Sequence, residues 1–230
     1  MDMIGDKLAK IMARLAAAAR QAGRQPDEIK LVAVSKRVSW ELIKQAADCG
    51  QLLFGENYIQ EAQEKIPCLE KTLTWHFIGY LQSNKAKLAA QLFQVVETVD
   101  RIKLAQALDK HLAAMNKTMS ILIQVNIGRE PQKAGVLPER TGELIRQISP
   151  LKHLAIKGLM AMPPFEADPE KARPYFRQTR LLAEELRDQG LLPRQEPLEL
   201  SMGMSGDFEV AIEEGATLVR VGTAIFGTRG

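Results

Sequence analysis

Lys36 closes the apolar run Leu31-Val32-Ala33-Val34-Ser35, and a buried strand does not ordinarily finish on an ammonium. A lysine at the mouth of a strand, partly desolvated, has its pKa pushed down and becomes a nucleophile toward aldehydes. A lysine that only lies along the strand end and carries its ammonium to water would read the same way. A second feature, Leu198-Glu199-Leu200-Ser201-Met202-Gly203-Met204-Ser205-Gly206-Asp207, reads as a strand, a Ser/Gly turn and a helix capped near Ser205 or Asp207. Its hydroxyls, the close backbone approach at Gly203 and Gly206, and the positive helix end suit a phosphate; a plain helix cap uses the same residues. In a third, Leu218 to Gly227, Arg220 interrupts an apolar strand and Gly222-Thr223 opens a short helical turn. Arg220 either faces a ligand or pairs inside the fold with an acid such as Glu199.

The elements that must position these residues follow from periodicity. Short apolar or β-branched runs at 30–35, 52–55, 75–79, 94–99, 119–127, 154–162, 198–202 and 218–221 read as strands. Segments of helical period lie between them at 40–48, 58–65, 85–93, 101–114, 138–148, 169–187 and 208–214, and a helix at 6–22 precedes everything. Eight strands alternating with helices predict an α/β fold, a single (β/α)8 TIM-type barrel with an extra N-terminal helix. An open doubly wound sheet would offer a glycine-rich turn after its first strand, and Ser35-Lys36-Arg37-Val38 has no glycine. Lys36, Asn57, Asn126, Met162, Ser201 and Arg220 all fall at or just past the C-terminal ends of strands, where barrels carry their sites.

In such barrels the loops after the seventh and eighth strands often cradle a phosphate, and Ser201 and Gly222-Thr223 take those places. A nucleophilic lysine opposite a phosphate cradle matches an aldehyde that carries a phosphate, the description of pyridoxal 5′-phosphate (PLP), held as a Schiff base on Lys36. Arg220 facing the pyridine nitrogen would disfavour protonation there, because a second positive charge beside a guanidinium is costly. The ring becomes a poorer electron sink, which favours storage or simple proton transfer. His76 reads as a hydrogen-bonded core histidine or a cofactor contact, and Asn57 as a helix cap or a ring contact.

Composition sets the bounds. At 230 residues and 46% hydrophobic the chain can bury a full core, and no linker composition divides the single expected domain, 1–230. The net charge is +3, but 31 basic and 28 acidic residues are interleaved, so no basic stripe invites nucleic acid. Two cysteines without a CxxC pair fit a reducing compartment, and three scattered histidines disfavour a metal site. Neither a signal-peptide h-region nor a membrane-length apolar stretch occurs, so a cytoplasmic protein is expected.

Several runs carry a family resemblance. Val34-Ser35-Lys36, Phe54-Gly55-Glu56-Asn57, Trp75-His76-Phe77-Ile78-Gly79-Tyr80, Ser201-Met202-Gly203-Met204-Ser205 and Val219-Arg220-Val221-Gly222-Thr223 resemble the pyridoxal phosphate homeostasis protein family. Val125-Asn126-Ile127 to Lys133-Ala134-Gly135 and Gly158-Leu159-Met160-Ala161-Met162 follow in the expected order. The resemblance implies the barrel of the alanine racemase N-terminal domain, a fold-type III PLP protein. It assigns Lys36 to the Schiff base, Arg220 to the ring nitrogen, Ser201, Gly222 and Thr223 to the phosphate, and Asn57 and Met160 to the ring. One departure stands out: Arg37-Val38-Ser39 follows Lys36 where the family usually has a threonine and a further lysine.

Three functions remain open. A homeostasis protein would bind PLP reversibly and exchange it with PLP-dependent apoenzymes, without efficient catalysis and as a monomer. A weak amino acid racemase needs an acid/base on each face of the substrate α-carbon, and Lys36 supplies only one. With the last strand so near Gly230, the added domain of alanine racemases is not expected, and Tyr58, Tyr80 and Tyr175 lack the context of a second base. An aldolase-type barrel would share the lysine and the cradle but shows no acid partner for carbon–carbon cleavage.

Overall fold

The computed structural model describes residues 3–194 and 197–227. Helix α1 (Ile4–Gln21) comes first, followed by β1 (Lys30–Val34), α2 (Trp40–Asp48), β2 (Leu53–Glu56), α3 (Ile59–Lys65) and β3 (Thr74–Phe77). Then come α4 (Ala86–Leu92), β4 (Val95–Val99), α5 (Ile102–Ala114), β5 (Met119–Val125), α6 (Thr141–Ile148) and β6 (Leu154–Ala161). The chain finishes with α7 (Arg173–Asp188), β7 (Glu199–Ser201), α8 (Phe208–Glu213), β8 (Leu218–Val221) and the short α9 (Thr223–Phe226). All eight strands are parallel and close in sequence order, β8 returning to β1 with Val32 opposite Arg220. This is the (β/α)8 barrel that the alternation of apolar runs and helical segments predicts.

Boundaries shift for local reasons. The segments at 138–148 and 169–187 start as 3₁₀ turns, each with proline in first position, where its missing N–H costs nothing. The run at 119–127 stops at Val125, because Asn126 bends the chain: its Nδ2 donates to the Glu130 carbonyl and its Oδ1 accepts from the Glu130 N–H.

Alternation along the strands divides the buried residues into two sets. Leu31, Ala33, Ile121, Ile123, Leu159, Ala161, Val219 and Val221 face outward and join the helices in the main core. Val32, Leu122, Met160 and Leu218 face inward and pack on one another, with Leu53 against them, as a separate apolar layer inside the barrel. Toward the N-terminal end the Lys30 ammonium meets Glu199 at 3.2 Å. Helix α1 buries Leu8, Ile11, Leu15, Ala18 and Ala19, one helical face, and packs against α2, α8 and α9. It thereby braces the elements that follow β7 and β8.

Candidate functional site

At the C-terminal end of the barrel lies a cavity of about 460 Å³. Lys36, from the turn after β1, is half-buried in its wall. Val34, Ile78 and Met162 add apolar surface, Asn57 enters from the end of β2, and Arg220 from β8. Ser205, Gly206 and Asp207 come from the turn after β7, and Gly222 and Thr223 from the turn after β8. Of the seven residues that sequence assigns to the cofactor, Lys36, Asn57, Arg220, Gly222 and Thr223 therefore meet in one place.

The other two do not reach it. Met160 is fully buried in the apolar layer beneath, and it is Met162, two residues on along the same chain segment, that lines the cavity together with Met204 from the turn after β7. Ser201 is also fully buried, and its hydroxyl is committed below the cavity: Oγ donates to Glu97 Oε2 at 2.5 Å and accepts from Arg220 Nη1 at 2.5 Å. The hydroxyl pair at the mouth is instead Ser205 and Thr223, whose Oγ atoms lie 3.3 Å apart. Sequence reading offered Ser205 both as a helix cap and, with Gly203 and Gly206, as part of a turn suited to a phosphate, but assigned the phosphate to Ser201. Asn57 does not cap α3, whose N-cap is Tyr58 without a side-chain bond.

Beneath the cavity runs a buried chain of polar groups. His76 Nδ1 sits 2.6 Å from Glu97 Oε1, and an ionised Glu97 can only accept, so the proton is assigned to Nδ1. Arg220 Nη1 is 4.0 Å from Glu97 Oε2, and its Nη2 donates to the Ala161 carbonyl at 3.0 Å. The acid beside Arg220 is thus Glu97, not Glu199, which lies at the other end of the barrel with Lys30. Burial pushes the Glu97 carboxyl up, but His76, the Arg220 charge and the Ser201 hydroxyl outweigh it and hold it below the usual carboxylate range. Burial lowers the Arg220 guanidinium, opposed by Glu97 and Asp207. Asp207, also in the cavity wall, is pushed up by burial although its Oδ1 accepts from the Met204 N–H at 2.6 Å.

These residues fit a phosphorylated aldehyde with a heteroaromatic ring. The cavity has the size of small-molecule sites and joins an amine, two hydroxyls, a guanidinium and apolar walls. Asn57 Oδ1 is buried with no hydrogen-bond partner among the described residues, an acceptor left for something else.

An amine after β1 and a hydroxyl pair after β7 and β8, gathered at one mouth, define a (β/α)8 barrel protein with a lysine in its cavity. The sequence profile described as "Alanine racemase, N-terminal domain" matches residues 7–230. The pyridoxal phosphate homeostasis protein of Aquifex aeolicus is 42% identical over 227 residues, 97% of this chain and 97% of that one. That of Escherichia coli K12 is 40% identical over 235 residues, 100% of this chain and 98% of that one. Among solved structures, PipY of Synechococcus elongatus PCC7942 with PLP bound superposes with a TM-score of 0.83 at 36% identity, covering 97% of this chain and 100% of that one. The chain belongs to the alanine racemase N-terminal domain family and, within it, to the pyridoxal phosphate homeostasis proteins.

Proposed function

We propose that this chain binds PLP covalently through Lys36 and serves to hold and hand on that cofactor, not to turn over amino acids efficiently. The observation that carries this reading is the meeting of Lys36, Arg220, Ser205 and Thr223 around one cavity. The names of its relatives and the PLP bound to PipY support it. When bound, the cofactor supplies an aldehyde that condenses with the Lys36 amine with loss of water, and a phosphate that anchors it.

The chain's own groups have separate tasks. Ser205 and Thr223 would hold the phosphate by donating their hydroxyl hydrogens to it, with Gly206 and Gly222 letting the backbone approach. Arg220 keeps a fixed positive charge toward the ring nitrogen, and Glu97 and Ser201 behind it hold its aim. That charge would disfavour a proton on the nitrogen of a bound pyridine ring and so weaken the ring as an electron sink. Val34, Ile78 and Met162 exclude water from the amine, and Asn57 offers its Oδ1 to the ring substituents. None of the described residues lining the cavity is a tyrosine; the ionisable groups beside Lys36 and Arg220 are Glu166 and Asp207. Such a site supports slow proton transfer at most. Among the described residues no helix is long and apolar enough to cross a membrane. We place the protein in the cytoplasm as a monomer, with PLP-dependent apoenzymes as recipients.

Adding PLP to the purified protein is expected to give the visible band of a lysine-bound pyridoxal, and Lys36→Ala to abolish it. Borohydride reduction followed by peptide mapping should place the label on Lys36. A protein that stays colourless, or a label elsewhere, overturns the reading. Turnover far below ~1 per second with saturating amino acids separates the carrier from an enzyme.

A further inference from the structure

Both peptide groups that bracket Lys36 are held by one ion cluster from β2 and α3. On one side, the Ser35 carbonyl accepts from Lys65 Nζ at 3.0 Å; on the other, the Arg37 N–H donates to Glu61 Oε2 at 2.7 Å. The two clamps are one unit, because Lys65 Nζ also lies 2.5 Å from Glu61 Oε2 and 3.0 Å from Glu56 Oε1. Glu56 in turn accepts from the Ser35 hydroxyl at 2.8 Å. The cluster is not surface decoration: the Lys65 side chain is 11% exposed and that of Glu56 not at all. The backbone it grips is strained, since Arg37 sits at φ +55°, a left-handed conformation that an ordinary side chain disfavours. Sequence alone gives no reason for this arginine to adopt it.

We propose that Lys65, Glu61 and Glu56 are positioning residues that fix the turn 35–38 and so aim Lys36 into the cavity. The proposal rests on the reading that Lys36 is the amine that takes the cofactor. Held on both flanking peptides, the lysine starts near its attack geometry, and loss of either hold lets its base rotate away.

Glu61→Ala tests this without stranding a buried charge, because Lys65 keeps Glu56 and because Glu61 is a quarter exposed near the start of α3. The expected result is a roughly tenfold slower appearance of the visible Lys36-bound band on adding PLP. Exchange of the Arg37 amide hydrogen, read without cofactor, should quicken by about the same factor. Glu61→Gln retains an acceptor for that N–H and should keep the rate within about twofold. Arg37→Gly in the Glu61→Ala background should recover most of it, because glycine takes φ +55° without penalty. A purely structural role predicts a lower melting temperature with the rate unchanged, and that result, or failure of the glycine to rescue, overturns the proposal. Should the wild type show no band at all, the cofactor reading fails, while unchanged amide exchange in Glu61→Ala would still refute the clamp.

Discussion

At the scale of single residues, depth decides which of two similar side chains does the work. Ser201 and Ser205 belong to the same run, as Met160 and Met162 do, and each earlier member lies below the cavity floor. Sequence made both serines candidates, and period-two alternation points both methionines inward. The height of the cavity floor depends on how far the ladder runs before the chain turns, and no local pattern records that. Lys36 and Arg220 each have a bland reading alone, a strand-end lysine reaching water and a buried ion pair, and became legible only together with the Ser/Gly turns after β7 and β8 on the same face of the barrel. Their partners were not, because Glu97 reaches Arg220 only across the closed barrel. Two expectations separate the serines. Ser205→Ala should weaken PLP binding about tenfold, the worth of one charge-assisted hydrogen bond, and leave the melting temperature unchanged. Ser201→Ala should leave two buried groups short of a partner and cost about 1–3 kcal/mol of stability in denaturant titration. Glu97 has a distinct pH signature. Its carboxyl is depressed in the folded state, so its stabilisation is present above the unfolded carboxylate value of about 4.3 and is lost as pH falls through the folded value. Glu97→Gln should therefore cost about 3 kcal/mol at pH 7, and this penalty should shrink progressively in melts taken at decreasing pH below about 4.

At the scale of elements, the eight strands and the helices α1 to α8 were visible in the hydrophobic period, α9 only as a turn opened by Gly222-Thr223, and the errors sit at element ends. Strand ends are set by side-chain ties such as that of Asn126 to Glu130, which apolar patterning does not report. The turn after β7 is the case with most consequence. Gly203 lies at φ +90°, and a Cβ there would come within 2.6 Å of the Ala211 Cβ and 3.0 Å of the Phe208 Cα on α8. Gly203→Ala is expected to cost about 2 kcal/mol or more, from left-handed strain and overlap together. Because the same turn carries Ser205 and Asp207, PLP affinity should fall in parallel, measurable by titrating the visible band. Gly79, just after β3, plays the comparable part: a Cβ there would collide with the Asn57 backbone, so the glycine lets the turn after β2 approach the end of β3 and deliver Asn57. On the outside, Glu214 gathers Arg173 and Arg177 at 3.1–3.2 Å and so ties α7 to the end of α8.

At the scale of the whole molecule, closure of the sheet leaves no unpaired edge and gives the chain two ends that differ in character. One carries the Lys30–Glu199 pair, the other the cavity, and between them lies the layer of Val32, Leu53, Leu122, Met160 and Leu218. That layer makes the barrel a cup instead of a tube. Whatever enters must leave through the same doorway, and nothing can push it out from behind. Free cofactor in solution therefore has no means of hurrying departure. The rate at which bound PLP leaves, followed with an acceptor that traps it, is expected to stay constant as unbound PLP is raised. On the proposed carrier role, a recipient that speeds release would act at the rim, where Phe165 stands 88% exposed beside the opening. Delivery and obstruction then become two outcomes of occupying one threshold.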